Sequence, residues 1–127
     1  MAIHQSGEDY LEAILILGKQ SPMVRSIDVA AFMGVTKPSV SRAMSILKAG
    51  ALVEMAEDGA LTLTAAGREI AERMYERHKF LTAFLTSLGV EPEIAAEDAC
   101  RMEHVISDES FQKLREHAEL QIRGNDE

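Results

Sequence analysis

The feature that most constrains the fold is a pair of short helical segments joined by a tight turn. Ser26 is placed to cap a helix over Ile27–Met33, and Gly34-Val35 then forms the turn. Thr36 is placed to cap the second segment, which Gly50 closes. Two short helices joined through a glycine predict a helix-turn-helix, although helical hairpins with other roles share this pattern.

The amino-terminal end of the second segment carries small polar and basic side chains. Its apolar positions are Val40, Met44, Ile46 and Leu47, and the polar residues between them form a separate face. Such side chains contact base edges and phosphates when a helix enters the major groove of double-stranded DNA. We therefore predict a DNA-reading helix, with a solvated helix face as the alternative. The predicted contacts are Thr36, Lys37, Pro38, Ser39, Ser41 and Arg42.

The charge of this region differs from that of the whole chain. The chain has 13 Lys and Arg against 21 Asp and Glu, a net charge of −8, whereas phosphate binding needs local positive charge. The window 29–53 contains Lys37, Arg42 and Lys48 and no acidic residue. The acidic excess lies mostly after Thr64, so the window itself is compatible with DNA binding.

A β-hairpin is predicted directly after the second helix. Two short extended runs, Ala51–Met55 and Ala60–Leu63, flank an Asp58-Gly59 turn. A helix-turn-helix followed by a hairpin is a winged helix. We therefore expect an amino-terminal winged helix-turn-helix DNA-binding domain over residues 1–66.

The rest of the chain is predicted to be helical, so the fold class is mainly α. The further predicted helices are Gly7–Gly18, a long helix capped by Thr64 and ending at Gly89, a helix from Glu91 to Ile106, and a last one from the Ser107 cap to Leu120. The apolar content after Gly67 predicts a homodimer interface in a carboxy-terminal helical domain over residues 67–127, with a core within one chain as the alternative.

The location predicted from the sequence is cytoplasmic. Cys100 is the only cysteine, so no intramolecular disulfide can form. The segment Met1–Tyr10 is polar and lacks the apolar core of a signal peptide. The apolar run Ala13–Leu17 is too short to cross a membrane, so no membrane partner is expected.

Three potential metal ligands, Cys100, Glu103 and His104, share one face of a helix because they stand at i, i+3 and i+4. If buried without compensation they would be costly to desolvate, and a divalent cation would supply the compensation. A solvated helix edge is the alternative, and Cys100 by itself is also compatible with a small buried apolar residue.

Three more residues are weaker candidates when seen alone. Asp9 and Glu12 lie three apart on the first helix, where acidic side chains ordinarily complement the helix dipole. His78 lies in the middle of the long helix, where a surface or hydrogen-bonded core histidine is the usual explanation.

The order of these features resembles the DtxR/MntR family of metal-dependent transcriptional repressors across essentially the whole chain. The resemblance is carried by Arg77-His78, by Asp-Ala-Cys-Arg-Met-Glu-His-Val at 98–105, and by Glu-Asp-Tyr-Leu-Glu at 8–12, which is similar to the manganese-responsive branch. It implies a metal-binding and dimerisation domain and a repressor that binds operator DNA as a homodimer when loaded with Mn(II) or Fe(II), controlling metal homeostasis. The implied metal ligands are Asp9, Glu12, His78, Cys100, Glu103 and His104.

Two positions depart from the branches of this family. Cys100 stands where the manganese branch has a carboxylate that can bridge two ions, and Asp9 stands where the iron branch has a thioether. The implied site is therefore a hybrid, in a chain whose length resembles the two-domain manganese type. A thiolate shifts the preference towards softer ions, so the ligands leave the physiological metal open.

Two other functions are alternatives at this stage. One is a winged-helix regulator that responds to a non-metal signal. The other is a small metalloenzyme, since carboxylate and imidazole ligands with an open position can activate water. The chain contains no His-Glu-x-x-His and no Gly-x-Ser-x-Gly motif, so we do not expect an enzyme.

Overall fold

A computed structural model describes residues 5–126, with side chains from residue 6 to residue 119. The elements are α1 (Gln5–Gln20), α2 (Ser26–Met33), α3 (Lys37–Ala49), β1 (Val53–Met55), β2 (Leu61–Leu63), α4 (Ala65–Ser87), α5 (Pro92–Val105) and α6 (Asp108–Asp126). The mainly α fold class is confirmed. The chain divides into an amino-terminal unit up to Arg73 and a carboxy-terminal unit from Met74, so the division falls inside α4. The boundary between functional domains at 66/67 stays a prediction.

The helix-turn-helix forms where the sequence places it. Gly34 adopts φ +68°, in the left-handed region that glycine tolerates, and turns the chain between α2 and α3. The Ser39 N–H donates to Thr36 Oγ1 at 3.3 Å, which confirms Thr36 as the cap of α3. Val40 and Met44 are buried and fix the inner face of α3. The opposite face of α3 is thereby directed to solvent.

Three details of these helices differ from the predictions. Ser26 does not cap α2, because α2 begins at Ser26 and the Asp28 carboxylate accepts the Arg25 N–H at 2.9 Å. Gly18 does not end α1, since a glycine with ordinary helical φ costs only about 1 kcal/mol relative to alanine and the helix continues to Gln20. Ile46 is 62% exposed rather than part of the core, because it lies about 100° around the helix from its neighbour Leu47.

The β-hairpin that forms the wing of the winged helix is shorter than predicted but has the predicted turn. β1 and β2 pair antiparallel, with Val53 opposite Leu63. Gly59 adopts φ +90°, and the Ala60 N–H donates to Asp58 Oδ1 at 3.0 Å. Gly50 ends α3 as predicted, and the next residue, Ala51, adopts a left-handed φ of +59°. The strands therefore begin only after this turn.

The first turn of α4 packs tightly against the backbone that precedes β1. Thr64 Oγ1 accepts the Gly67 N–H at 3.1 Å and donates to the Ala51 carbonyl at 2.8 Å, which confirms the predicted cap. A Cβ added at Gly67 would lie 2.0 Å from the Leu52 carbonyl oxygen. This approach of two backbones requires glycine.

The carboxy-terminal unit is built from the later part of α4 with α5 and α6. Its core contains Leu81, Ala99 and Phe111, one from each helix. The rings of Phe80 and Phe111 meet edge to face, with centroids 5.4 Å apart. The Ser110 N–H donates to Ser107 Oγ at 3.1 Å, which confirms the predicted cap of α6.

Candidate metal centre and nucleic-acid interface

Helix α5 carries a fully buried carboxylate, that of Glu103. Ala95, Ala99 and Glu103 are spaced four residues apart, so they share one face of the helix, and all three are 0% exposed. Small side chains at the first two positions allow close packing of that face. A carboxylate on the same face is costly to desolvate unless a cation or hydrogen bonds compensate it.

The two oxygens of the Glu103 carboxylate have different surroundings. Oε2 lies 3.0 Å from His78 Nδ1, within hydrogen-bond distance. Oε1 lies 3.5 Å from His104 Nε2, and it is buried without a hydrogen-bond partner among the described residues. A buried carboxylate that has one unsatisfied oxygen and an imidazole beside each of its two oxygens is a donor set that divalent transition metals accept. The residues of this unit therefore fit the metal that the family resemblance implies.

Glu103 also changes the protonation of His78. The pKa of His78 is raised above its ordinary value, chiefly by the hydrogen bond that its ring N–H donates to the Glu103 carboxylate and also by the negative charge of Glu103, while burial opposes the shift. An imidazole binds a metal only in its neutral form. A metal that bound at His78 would therefore displace a proton wherever the imidazole is protonated.

Cys100 lies on α5 one turn ahead of Glu103 and His104. The residue is exposed, so the alternative of a small buried apolar residue is wrong. Its sulfur lies within 4.8 Å of a Glu103 carboxylate oxygen. Cys100 therefore shares the side of the helix that carries Glu103, and its role as a ligand stays a prediction.

The two acidic candidates of α1 belong to the amino-terminal unit. Glu12 is 7% exposed, and Asp9 is half-buried. The first turn of α1 contains Glu8 as its acidic residue, so Asp9 and Glu12 lie beyond the turn where acidic side chains complement the dipole. The dipole explanation therefore does not account for them, and their part in a ligand set stays a prediction.

The predicted DNA-reading face is an exposed surface of α3. Ser39 is half-buried and the other five predicted contacts are exposed: Thr36, Lys37, Pro38, Ser41 and Arg42. The hydroxyls of Thr36 and Ser39 lie 2.9 Å apart and are partly engaged in the cap. Lys37, Ser41 and Arg42 are therefore the side chains best placed to approach a groove.

A cleft of about 290 Å³ adjoins this face and includes a residue that the sequence reasoning missed. Its lining includes Arg25, just before α2, Lys37 and Ser41 of α3, and Gly59 of the wing. Two cations around one cleft suit a phosphate. The available signal was a basic residue immediately before the first helix of the predicted helix-turn-helix.

Two family models match consecutive parts of the chain. The Iron dependent repressor, N-terminal DNA binding domain, matches residues 3–61, and the Iron dependent repressor, metal binding and dimerisation domain, matches residues 64–119. The transcriptional regulator MntR of Escherichia coli O6:H1 is 39% identical over 108 residues, which cover 85% of this chain and 70% of that protein. The chain belongs to this family of metal-dependent transcriptional repressors.

Solved structures agree with membership of the iron-dependent repressor family. The manganese regulator SloR has a TM-score of 0.81 and 27% identity, covering 94% of this chain and 55% of that one. A manganese-dependent transcriptional repressor in complex with manganese has a TM-score of 0.76 and 30% identity, covering 84% and 50%. The chain thus spans about half the length of these two solved chains.

Family membership decides two of the predictions. The matched domains confirm a DNA-binding domain followed by a metal-binding and dimerisation domain, and they confirm that the protein is a regulator rather than an enzyme.

Among the residues that the structure describes, none of the helices combines the length and the apolar character needed to cross a bilayer.

Proposed function

We propose that this member of the iron-dependent repressor family binds operator DNA as a homodimer when it is loaded with Mn(II) or Fe(II), and that it thereby controls metal homeostasis in the cytoplasm. The observation that carries the proposal is Glu103 Oε1, a buried carboxylate oxygen without a hydrogen-bond partner among the described residues. It lies within the residues matched by the metal-binding and dimerisation domain.

The proposed ligand set is supported by two kinds of argument. For His78, Glu103 and His104 the support is their proximity, and for Cys100 it is its place on the same side of α5. For Asp9 and Glu12 it is the family resemblance, together with the burial of the Glu12 carboxylate. A bound divalent cation would supply positive charge to these donors and fix their positions.

Metal binding and DNA binding influence each other only if the conformation that fits DNA also binds metal more tightly. The coupling is then reciprocal, and it is ordinarily about 5- to 150-fold in affinity. In a two-fold dimer the recognition helices would meet half-sites about 34 Å apart. We propose that Arg42 contacts a base edge or phosphate and that Thr36, Lys37, Ser39 and Ser41 contact mainly phosphates, with Pro38 as an apolar contact.

The test is a DNA-binding titration by fluorescence anisotropy, on a duplex selected from a random library in the presence of Mn(II). Affinity is compared with Mn(II), with Fe(II) under anaerobic conditions, with Zn(II) and with a chelator. We expect Mn(II) or Fe(II) to strengthen binding by about 5- to 150-fold. Light scattering of the same samples should show a dimer.

Matched histidine variants show which site is responsible. His104→Ala should lose the metal effect, whereas His117→Ala, at an exposed position of α6, should keep it. DNA binding that ignores all three metals would instead favour a winged-helix regulator of a non-metal signal. A monomer at micromolar concentration, with and without metal, would overturn the dimer.

A further inference from the structure

Arg77, which lies next to His78 on α4, is a buried cation at the junction of three helices. The residue is 5% exposed. Its Nη1 donates to the carbonyls of Glu103 at 3.0 Å and Ile106 at 2.7 Å. Its Nη2 forms an ion pair with the Asp108 carboxylate at the start of α6. Arg77 therefore joins α4 to the end of α5 and to the start of α6.

The two carbonyls that Arg77 contacts are backbone groups that have no hydrogen-bond partner within helix α5. The last four carbonyls of a helix have no intrahelical partner, and Glu103 lies within the last four residues of α5. Ile106 is the residue after that helix. The planar guanidinium reaches both carbonyls and the carboxylate at once, which a lysine ammonium does not do in the same geometry.

Adjacent residues of α4 thus hold Glu103 in two ways. Arg77 holds its main-chain carbonyl, and His78 holds its side-chain carboxylate. The contact from His78 joins two side chains that are proposed ligands, so it competes with a cation for the same groups. The contact from Arg77 uses none of the ligand atoms.

We propose that Arg77 is a positioning residue for the metal centre, a role that rests on the proposed function. It fixes the main chain at Glu103 so that the carboxylate is in place before a cation binds. Partners of this kind, which orient ligands without touching the metal, ordinarily contribute about 10- to 100-fold to metal affinity. Because the same guanidinium pairs with Asp108, the start of α6 is held by the group that positions the ligand.

The experiment compares the full chain with Arg77→Met, which keeps much of the side-chain volume and removes the donors. Arg115→Met is the matched control, because the Arg115 guanidinium lies 5.9 Å from the centre of the Phe111 ring that Arg77 approaches at 5.3 Å. Three quantities are measured: Mn(II) affinity, the visible absorption spectrum of the Co(II)-loaded protein, and amide hydrogen exchange of the metal-free protein.

Arg77→Met should weaken Mn(II) binding by about 10- to 100-fold. It should also alter the Co(II) spectrum and speed amide exchange at residues 104–106 in the metal-free protein. Arg77→Lys should restore little of the affinity, because a single ammonium group cannot replace the several fixed donors of the planar guanidinium. Arg115→Met should leave all three quantities as in the wild type.

Asp108→Asn tests the same link with less disturbance, because the Asp108 side chain is 83% exposed. Asp108→Asn should give a smaller loss of Mn(II) affinity in the same direction. If circular dichroism shows that Arg77→Met does not fold, the Mn(II) affinity of Asp108→Asn decides whether Arg77 positions the metal centre. Wild-type affinity and spectrum in the folded Arg77→Met protein would overturn the proposal, even if exchange increased, since the role would then be structural only. Failure of the wild type to bind Mn(II) would instead overturn the proposed function, and the exchange of the metal-free protein would still show whether Arg77 holds α5.

Discussion

Helices α3 and α5 both carry residues with a proposed function, but they present them in opposite directions. The basic and hydroxyl groups of α3 are mostly exposed, whereas Glu103 of α5 is 0% exposed. An exposed cation is already solvated, and it gains from phosphate mainly through the release of counterions. A buried carboxylate has lost its water and depends on the partners that remain. Substitutions in α5 should therefore have larger effects than substitutions in α3.

The largest expected effect is that of Glu103→Gln, which removes the buried charge but keeps the shape. Mn(II) affinity, measured by calorimetry, should fall by more than the roughly 10- to 100-fold that an outer partner of a ligand contributes. The melting temperature of the metal-free protein should not fall in parallel, because an amide can still bond to His78. The control is Glu97→Gln, an exposed position on α5. Retained Mn(II) affinity would remove the contrast between the two helices.

Arg42→Ala tests the other side of the comparison. If Arg42 contacts a base edge, its loss should weaken binding to the selected duplex by on the order of 1 to 3 kcal/mol while leaving Mn(II) affinity unchanged. Lys48→Ala is the control, since Lys48 is an exposed basic residue in the last turn of the same helix. An equal loss on random duplexes would identify a backbone contact, and no loss on either would identify a solvated face.

Cys100 is an exposed residue on the helix that carries the buried carboxylate, so it sharpens the comparison. If its thiolate is a ligand, the Co(II)-loaded protein should show absorption from sulfur-to-metal charge transfer. Cys100→Ser should lose more affinity for Zn(II) and Co(II) than for Mn(II), because the thiolate favours softer ions. Unchanged affinities in Cys100→Ala and no such absorption would leave a site of carboxylates and imidazoles only.

The smallest expected effect is a pH dependence of the metal-free protein. Because the folded-state pKa of His78 is raised, its bond with Glu103 stabilises the fold fully below the ordinary value of 6.5. That contribution is lost as the pH rises through the raised pKa. The melting temperature in chelator should therefore fall with rising pH in the wild type and less in His78→Gln. His117→Gln should behave as the wild type, and identical curves for wild type and His78→Gln would exclude the contribution.

The features that the sequence predicted well are those whose cause is local. Thr36, Thr64 and Ser107 each accept the N–H of the residue three positions later. Asp58-Gly59 forms its turn with neighbouring residues. Such contacts can be read from a few adjacent letters. The order of helices and wing follows from them.

The features that the sequence analysis missed depend on distant partners. Arg77 bonds to groups 26 to 31 residues away, and no short pattern marks it as a junction. Arg25 becomes part of a cleft only when the wing and α3 are in place. The proposed metal ligands are an intermediate case. Their spacing placed Cys100, Glu103 and His104 on one face of a helix, but only the family resemblance made His78 an equal candidate.

The close approach at Gly67 has a consequence for genetics. Any substitution there forces a methyl group or more towards the Leu52 carbonyl oxygen, where even alanine has no room. In a screen of random mutants for loss of repression, Gly67 alleles would therefore be recovered together with alleles of the residues proposed to bind metal and DNA. Their phenotype would arise from lower protein abundance. Immunoblots of such a screen would separate these alleles from those that mark a binding site.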